Sequence, residues 1–209
     1  MPKRPKASLS SRKQPQQARS AELVDTILEA AIRVLTRDGA QRFTTARVAE
    51  TAGVSVGSLY QYFPNKASIL FRLQSDEWRQ TSEMLRSILE NTAQPPFDRL
   101  RTLVHSFIRS ECEEAAVRVA LNDAAPLYRD APEAQAAKEA GTKRIQAFMR
   151  EVLPKAPEAK RTLAGNLIIT TFSSVGKHLS ESAQTPAEIK AYADAMSDMF
   201  CAYLRELQL

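Results

Sequence analysis

A turn centred on Gly53 constrains the fold of this chain most, because it separates two short segments that both have helical spacing. The first segment follows two threonines, which are residues preferred at a helix N-terminus, and its apolar positions begin at Val48. Gly53 can end that helix in the left-handed conformation, since a glycine has no Cβ to clash. Ser55 is then placed to cap a second helix that runs to Phe63. Residues 44–63 therefore predict a helix-turn-helix.

The second of these helices has an outward face that suits a DNA groove. If Leu59 points inward, Val56 and Phe63 share the buried side and Gly57 and Gln61 lie nearly opposite. A glutamine can bond an adenine edge through two atoms, and a glycine lets the backbone approach DNA closely. The hydroxyl residues, which can bond phosphates, are Ser58 and Tyr60 on the flanks and Tyr62 nearer the buried side. The helix is therefore predicted to contact DNA.

The same segment resembles the DNA-binding region of the TetR (tetracycline repressor) family of bacterial transcription regulators. The resemblance is carried by one ungapped block, which consists of Thr44 and Thr45, Val48-Ala49, Ala52-Gly53-Val54-Ser55, Gly57-Ser58-Leu59-Tyr60, Tyr62-Phe63 and Asn65-Lys66. At the level of motifs it covers roughly the first third of the chain. The rest of the chain resembles the family only in its length and helical character.

The resemblance also implies roles for individual residues in DNA binding. Thr45, Ser58, Tyr60, Tyr62 and Lys66 match positions where family members contact phosphates, and Val56, Gly57 and Gln61 match positions that face bases. Two residues depart from a base-contacting pattern, because Ala46 cannot hydrogen-bond a base and Gly57 has no side chain. Base recognition is therefore expected to depend on Gln61, Arg47 or DNA shape. Thr44 and Ser55 complete the predicted DNA-binding set.

The net charge of +5 is concentrated at the N-terminus. Residues 1–19 contain six basic residues and no acid, residues 20–66 contain five of each sign, and residues 67–209 contain 18 basic and 19 acidic residues. We expect residues 1–19 to be a disordered basic arm that adds salt-dependent affinity for phosphates, although a solubilising tail is an equally good interpretation. Residues 20–66 would then be the DNA-binding domain, and residues 67–209 a helical ligand-binding and dimerisation domain.

The whole chain is predicted to be all-α, because no hairpin dipeptide or sustained alternation indicates a strand. An apolar stripe over residues 20–38 predicts a helix that packs on the motif, and Gly39 closes it. Residues 67–91 predict one helix about 37 Å long, enough to link a head to a separate body. We expect about nine helices, with an N-terminal three-helix helix-turn-helix head joined by this long helix to a C-terminal helical body.

The last two predicted helices have unusually broad apolar surfaces. They cover residues 158–182 and the segment after Thr185-Pro186. A dimer interface would explain this breadth, but burial of both helices within one domain would explain it too. The resemblance favours a homodimer, because family members typically pair through their last two long helices.

A ligand site in the C-terminal body is implied by the resemblance, since a small molecule there typically shifts the helix that joins body to head. Candidate residues combine bulk or charge with an apolar helix face, as ligand pockets do. They are Phe107, Glu111, Tyr128, Phe148 and Phe172. Each of them is also compatible with a place in an ordinary helical core.

One pattern points to an enzyme, because residues 53–57 match the G-x-S-x-G nucleophile elbow of serine hydrolases. That motif requires a strand before the serine and an α/β sheet around it, whereas the segment before Ser55 has helical spacing. The two histidines and two cysteines show no metal-ligand spacing. We therefore predict no catalytic residue, metal or cofactor.

The sequence thus predicts a ligand-responsive transcription regulator, most simply a repressor that a small-molecule inducer releases from a palindromic DNA operator. It would act as a homodimer in the cytoplasm, with no membrane contact, since no run of about 18 apolar residues occurs. The alternative hypothesis is a helical ligand-binding or interaction module that does not bind DNA.

Overall fold

The computed structural model describes residues 18–128, 131–182 and 185–208. These residues form nine α-helices and contain no β-strand, which confirms the all-α prediction. In chain order the helices are α1 (Ala18–Arg42), α2 (Thr45–Ala52), α3 (Val56–Tyr62), α4 (Lys66–Leu89), α5 (Pro96–Glu113), α6 (Ala115–Ala124), α7 (Pro132–Val152), α8 (Glu158–Ser180) and α9 (Pro186–Glu206). A short 3₁₀ helix, Ala125–Leu127, follows α6. The predicted basic arm lies almost entirely outside the described residues.

The chain divides into two compact units. The head unit contains the residues up to Glu77 together with Ala116–Ala134, and the body unit contains Trp78–Ala115 together with Gln135–Leu209. Helix α4 contributes residues to both units. The sequence analysis places the boundary between the DNA-binding domain and the ligand-binding domain after residue 66, and that boundary remains a prediction.

The core of the head unit forms where α1, α2 and α3 pack together. Fully buried aliphatic side chains recur along α1 at helical spacing, as the predicted stripe requires; they are Ile27, Ala31, Val34 and Leu35. Gly39, with φ of 73° and ψ of 168°, interrupts the helical geometry of α1, which confirms the predicted stop. Phe43 then enters the same core. Burial of each large side chain stabilises the fold by about 1.5–3 kcal/mol, so this small unit depends on the stripe.

A second part of the head unit joins α6 to the first half of α4. The hydroxyl of Tyr128 donates to the carbonyl oxygen of Leu121 at 2.6 Å, and its oxygen lies 3.3 Å from Oε1 of Gln74. The Tyr128 ring also packs on Phe71, with ring centroids 6.0 Å apart. Burial raises the pKa of Tyr128, because the phenolate would lose its hydration. Tyr128 is therefore a neutral structural residue that fastens this segment to α4.

The body unit is built around α5, which packs against both α8 and α9. Its core is largely aliphatic, with an aromatic group in which Phe172 lies between Phe107 and Phe200 at centroid distances of 4.8 and 5.4 Å. Helix α8 comes very close to α5 at Gly176, where a Cβ would lie 2.9 Å from Cγ of Glu111. A side chain at this position would force Glu111 or Phe107 of α5 to shift, so the close packing of the two helices depends on a glycine here.

The end of α4 in the body unit is held by a buried arginine. Arg99, on α5, donates to the carbonyl oxygen of Leu89 and to the carboxylate of Glu151. Its guanidinium also lies 5.5 Å from the centre of the Phe148 ring. Because Leu89 is the last residue of α4, its carbonyl has no partner within the helix. Arg99 supplies that partner together with a positive charge at the negative end of the helix dipole.

Among the described residues, no helix combines the length and apolar character that a membrane-spanning segment needs.

Candidate nucleic-acid interface

The turn of the helix-turn-helix has the hydrogen bonds that its sequence predicts. Oγ1 of Thr44 accepts from the backbone N–H of Arg47 at 3.3 Å, and so caps α2. Gly53 ends α2 in the left-handed region, with φ of 68° and ψ of 29°. Oγ of Ser55 accepts from the backbone N–H of Ser58 at 3.0 Å, and so caps α3. All three predicted end signals are confirmed.

Helix α3 is oriented by the three side chains that it buries. Leu59, Tyr62 and Phe63 lie in the core of the head unit, as the helical wheel predicts. The expectation that Val56 shares this buried side is wrong, because 40% of its surface is exposed. Val56 is the first residue of α3 and precedes the turn that packs on the core. Its exposure agrees with the base-facing role that the resemblance implies.

The outward face of α3 carries Gly57 and Gln61, both of them exposed. Gly57 has ordinary helical geometry, and a Cβ built on it would meet only Oγ of Ser55, at a comfortable 3.7 Å. The fold of the chain therefore does not need a glycine at this position, in contrast to Gly53. Because Gly57 has no side chain, another molecule can approach the backbone of α3 closely at this point.

The hydroxyl groups around this face form two hydrogen-bonded pairs. Oγ1 of Thr45 and the phenolic oxygen of Tyr60 lie 3.1 Å apart, and they form a hydrogen bond that links α2 to α3. Tyr60 is exposed, whereas the ring of Tyr62 is buried. Oγ of Ser58 shares a hydrogen bond with Oγ of Ser55 at 2.8 Å. In each pair one hydroxyl donates to the other, so the accepting hydroxyl keeps its own proton free to donate to a phosphate.

Lys66 is exposed at the first position of α4. The helix begins with a side-chain cap, in which Oδ1 of Asn65 accepts from the backbone N–H of Ser68 at 2.9 Å. No ion pair to Lys66 is found within the part of the chain that the structure describes. Its charge and the positive end of the helix dipole both favour an anion at this point.

Arg47 is engaged by neighbouring groups, which sequence reasoning missed. Its Nη1 donates to the carbonyl oxygen of Arg42 at 3.1 Å and lies 3.4 Å from Oδ2 of Asp38. Arg37 also bonds the Asp38 carboxylate and is the main cause that holds the pKa of Asp38 below its usual range. We call Arg37, Asp38, Arg42 and Arg47 the Asp38 cluster. In the sequence, only the equal numbers of acidic and basic residues in 20–66 pointed to ion pairs of this kind.

The five candidate ligand residues do not all converge. Phe107, Glu111 and Phe172 lie together in the body unit, next to Gly176. Phe148 instead packs against the guanidinium of Arg99. Tyr128 belongs to the head unit, where its hydroxyl has two internal partners.

Ser55 does not have the surroundings of a catalytic nucleophile. It follows α2 rather than a strand, and its Oγ is used to cap α3. Within residues 18–128, 131–182 and 185–208, no group of three or more histidine, cysteine or acidic side chains has the arrangement of a metal site.

Comparison with known proteins agrees with this geometry. Residues 27–73 match the family model described as bacterial regulatory proteins, tetR family. Residues 95–207, more than half of the chain, match the model described as tetracyclin repressor-like, C-terminal domain. The nucleoid occlusion factor SlmA of Actinobacillus pleuropneumoniae serotype 5b (strain L20) is 41% identical over 68 residues, which are 32% of this chain and 28% of that protein. This match thus spans less than a third of the relative.

Two solved structures share the fold over most of the chain. The fatty acid degradation regulator FadR from Bacillus halodurans has a TM-score of 0.69 at 18% identity, covering 90% of this chain and 96% of that one. FadR from Thermus thermophilus, a TetR-family repressor solved in complex with lauroyl-CoA, has a TM-score of 0.58 at 21% identity, covering 89% and 95%. Family models thus match two long segments of this chain, and the capped helix-turn-helix lies within the N-terminal one. The chain therefore belongs to the TetR family of DNA-binding transcription regulators.

Proposed function

We propose that this protein is a dimeric repressor that binds a palindromic operator and is released from it by a small-molecule inducer. The observation that carries the proposal is the outward face of α3, where exposed Gly57 and Gln61 are surrounded by hydroxyl groups. A helix with this face can enter a major groove while its hydroxyl residues bond the phosphates on either side.

The contacts divide into two classes with different consequences. Gln61 supplies the exposed side chain that can bond a base edge through two atoms, and Val56 can contact a thymine methyl group. Thr45, Tyr60 and Lys66 supply phosphate contacts, which fix the position of the head unit but carry no sequence information. Few side chains can specify bases directly, so DNA shape contributes to operator choice.

Dimerisation through α8 and α9 is supported by aligned apolar side chains on their exposed faces. Leu163 and Leu167 lie one turn apart on α8, and Tyr192 and Met199 lie two turns apart on α9; all four are exposed. Isolated apolar residues on a surface are ordinary, but aligned sets on two neighbouring elements indicate an interface. A symmetric dimer would bury them, and binding to a palindromic operator would require its two α3 helices to lie about 34 Å apart, one turn of B-DNA.

An inducer site in the body unit is supported by the group of Phe107, Glu111 and Phe172. The aromatic rings provide apolar contact, and Glu111, a residue only 9% exposed, provides one polar group. The Thermus thermophilus repressor of the same fold was solved with lauroyl-CoA, which is consistent with a ligand-responsive body. The inducer needs only to bind the DNA-incompetent state more tightly than the competent one.

A gel-shift experiment with the DNA that flanks the protein's own gene tests the proposal. We expect retardation that weakens steeply with salt, and further weakening when the cognate small molecule is added. A helical interaction module without DNA binding would give no salt-dependent retardation with any duplex, and that result would refute the proposed function.

A further inference from the structure

The Asp38 cluster brings three arginines to one acidic residue in the head unit. Arg37 donates from Nε and Nη2 to the two carboxylate oxygens of Asp38, at 3.0 and 3.1 Å. Arg47 reaches Oδ2 of the same carboxylate from α2, at 3.4 Å. Nε of Arg42 donates to the backbone carbonyl of Asp38 at 3.4 Å. The left-handed Gly39 directly after Asp38 turns the chain so that these groups meet.

Within this cluster Arg47 is the partner that can leave most easily. Arg37 forms a bidentate pair with Asp38, whereas Arg47 makes one longer contact to the carboxylate and one bond to a carbonyl. The Arg47 side chain is 45% exposed, so water can replace its partners. The Asp38 side chain is 16% exposed, but the contact with Arg47 is long and open to water on the arginine side, so a phosphate group can compete with the carboxylate for the guanidinium.

The position of Arg47 makes such competition relevant to DNA binding. It lies in the first turn of α2, two residues after Thr45; the two residues are about 3 Å apart along the helix axis but point to different sides of the helix. Thr45 is bonded to Tyr60, so this part of α2 lies beside the predicted contact surface of α3. In a helix-turn-helix, the first helix crosses the DNA backbone, where its basic side chains meet phosphates.

Asp38 also affects the charge that the head unit presents to DNA. Residues 20–66 contain five acidic and five basic residues, so each acid that pairs with an arginine reduces the attraction for phosphates. Through its carboxylate, Asp38 engages both Arg37 and Arg47. Loss of its charge would remove the ion pair of Arg47 and leave the hydrogen bond to the Arg42 carbonyl in place.

We propose that Asp38 is a positioning residue that limits DNA affinity by holding Arg47 away from the phosphates. This inference rests on the proposed DNA-binding function. In the absence of Asp38's charge, Arg47 becomes an additional phosphate contact on each protomer. The operator sequence that the protein prefers does not change, because a phosphate contact carries no base information.

The test measures binding of the full chain to two fluorescent duplexes of about 30 base pairs, over a range of salt concentrations. One duplex has a mixed sequence, and the other comes from the DNA flanking the protein's own gene. The variants are Asp38→Asn, Arg47→Ala and the double variant. Asp25→Asn is the matched control, because it removes the same charge from an exposed position about 20 Å earlier in α1. Thermal unfolding of each variant establishes that it is folded.

We expect Asp38→Asn to bind both duplexes more tightly and to steepen the logarithmic salt slope by about 0.9 per protomer. One added contact corresponds to an additional loss of about threefold in affinity between 50 and 200 mM salt. Arg47→Ala alone should change affinity little, and the effect of Asp38→Asn should disappear in the Arg47→Ala background.

Each other outcome overturns the proposal. An equal effect of Asp38→Asn with and without Arg47, or an equal effect of Asp25→Asn, would assign the change to general charge or to Arg37. A loss on Arg47→Ala as large as that on Lys66→Ala would make Arg47 a direct contact in the native protein. Salt-dependent binding by the native chain with no effect of Asp38→Asn would refute only this inference, whereas no binding by the native chain would also refute the proposed function.

Discussion

A Cβ on Gly176 would lie 2.9 Å from Cγ of Glu111, closer than a Cβ normally approaches another carbon, so side chains of α5 fill the space beside this position of α8. The nearest ring atom of Phe107 would also lie at 2.9 Å. These neighbours are buried or half-buried and packed by other side chains, so they have little room to move.

We therefore predict that Gly176→Ala lowers the free energy of unfolding by about 1–3 kcal/mol, as overpacked cores do. Gly141→Ala is the matched control, because it is also inside a helix but meets only Cδ1 of Leu85, at 4.0 Å. It should raise the free energy of unfolding by up to about 1 kcal/mol through helix propensity. Urea denaturation measures both. Equal effects of the two substitutions would show that the contact between α8 and α5 is not the cause.

Gly57→Ala should separate stability from DNA binding. The added methyl group fits, because its nearest neighbour is Oγ of Ser55 at 3.7 Å, and the helical backbone at Gly57 accepts any residue. We expect stability to be unchanged or higher by about 0.5–1 kcal/mol. Affinity for the operator should fall by on the order of tenfold, because the methyl group occupies the space where DNA approaches. Unaltered affinity in a gel shift would show that this face of α3 does not lie against DNA.

Gln61→Ala and Lys66→Ala should weaken DNA binding in different ways. Gln61→Ala is expected to relax the preference at one base pair in each half-site, at a cost of about 1–3 kcal/mol for the preferred base. Lys66→Ala should weaken binding to all sequences and lower the salt slope by about 1. Binding to a set of single-base operator variants distinguishes the two. A uniform loss on Gln61→Ala would contradict the assignment of Gln61 to a base.

Leu167→Glu should dissociate the proposed dimer. This side chain is 47% exposed on α8, so the isolated chain tolerates a charge there, whereas a symmetric interface would bury two carboxylates. We expect the variant to elute as a monomer and to lose operator binding, since each half-site contact would then form alone. Leu127→Glu, at 46% exposure in the head unit, is the control and should leave the dimer intact. Analytical ultracentrifugation measures the mass, and an unchanged dimer in Leu167→Glu would place the interface elsewhere.

The sequence predicted the helix ends well, because capping depends on a few neighbouring residues. The hydrogen bonds of Thr44 and Ser55 and the left-handed Gly53 are local, and each agreed with its signal. The burial of Val56 was predicted wrongly because a helical wheel treats the first residue of a helix like an interior one. Its exposure depends on where the neighbouring core ends.

Interactions between residues distant in sequence were not predictable from spacing. The pairing of Arg47 with Asp38 depends on how α1 turns at Gly39, and the pairing of Arg99 with Glu151 joins residues from two helices. The same limit explains the ligand candidates. Phe148 and Tyr128 have the bulk of pocket residues, but spacing could not show that Phe148 packs against Arg99 or that the Tyr128 hydroxyl bonds the Leu121 carbonyl.

The buried guanidinium of Arg99 has a consequence for how α4 opens. Helix ends ordinarily fray first, since their last carbonyl groups have no partner in the helix. At Leu89, opening would break the hydrogen bond that its carbonyl oxygen accepts from Arg99 and would leave the buried guanidinium without that partner. The amides of the last turn of α4 should therefore exchange with deuterium as slowly as those at its centre. Helix α4 would then be lost in one cooperative step rather than by progressive unwinding from this end.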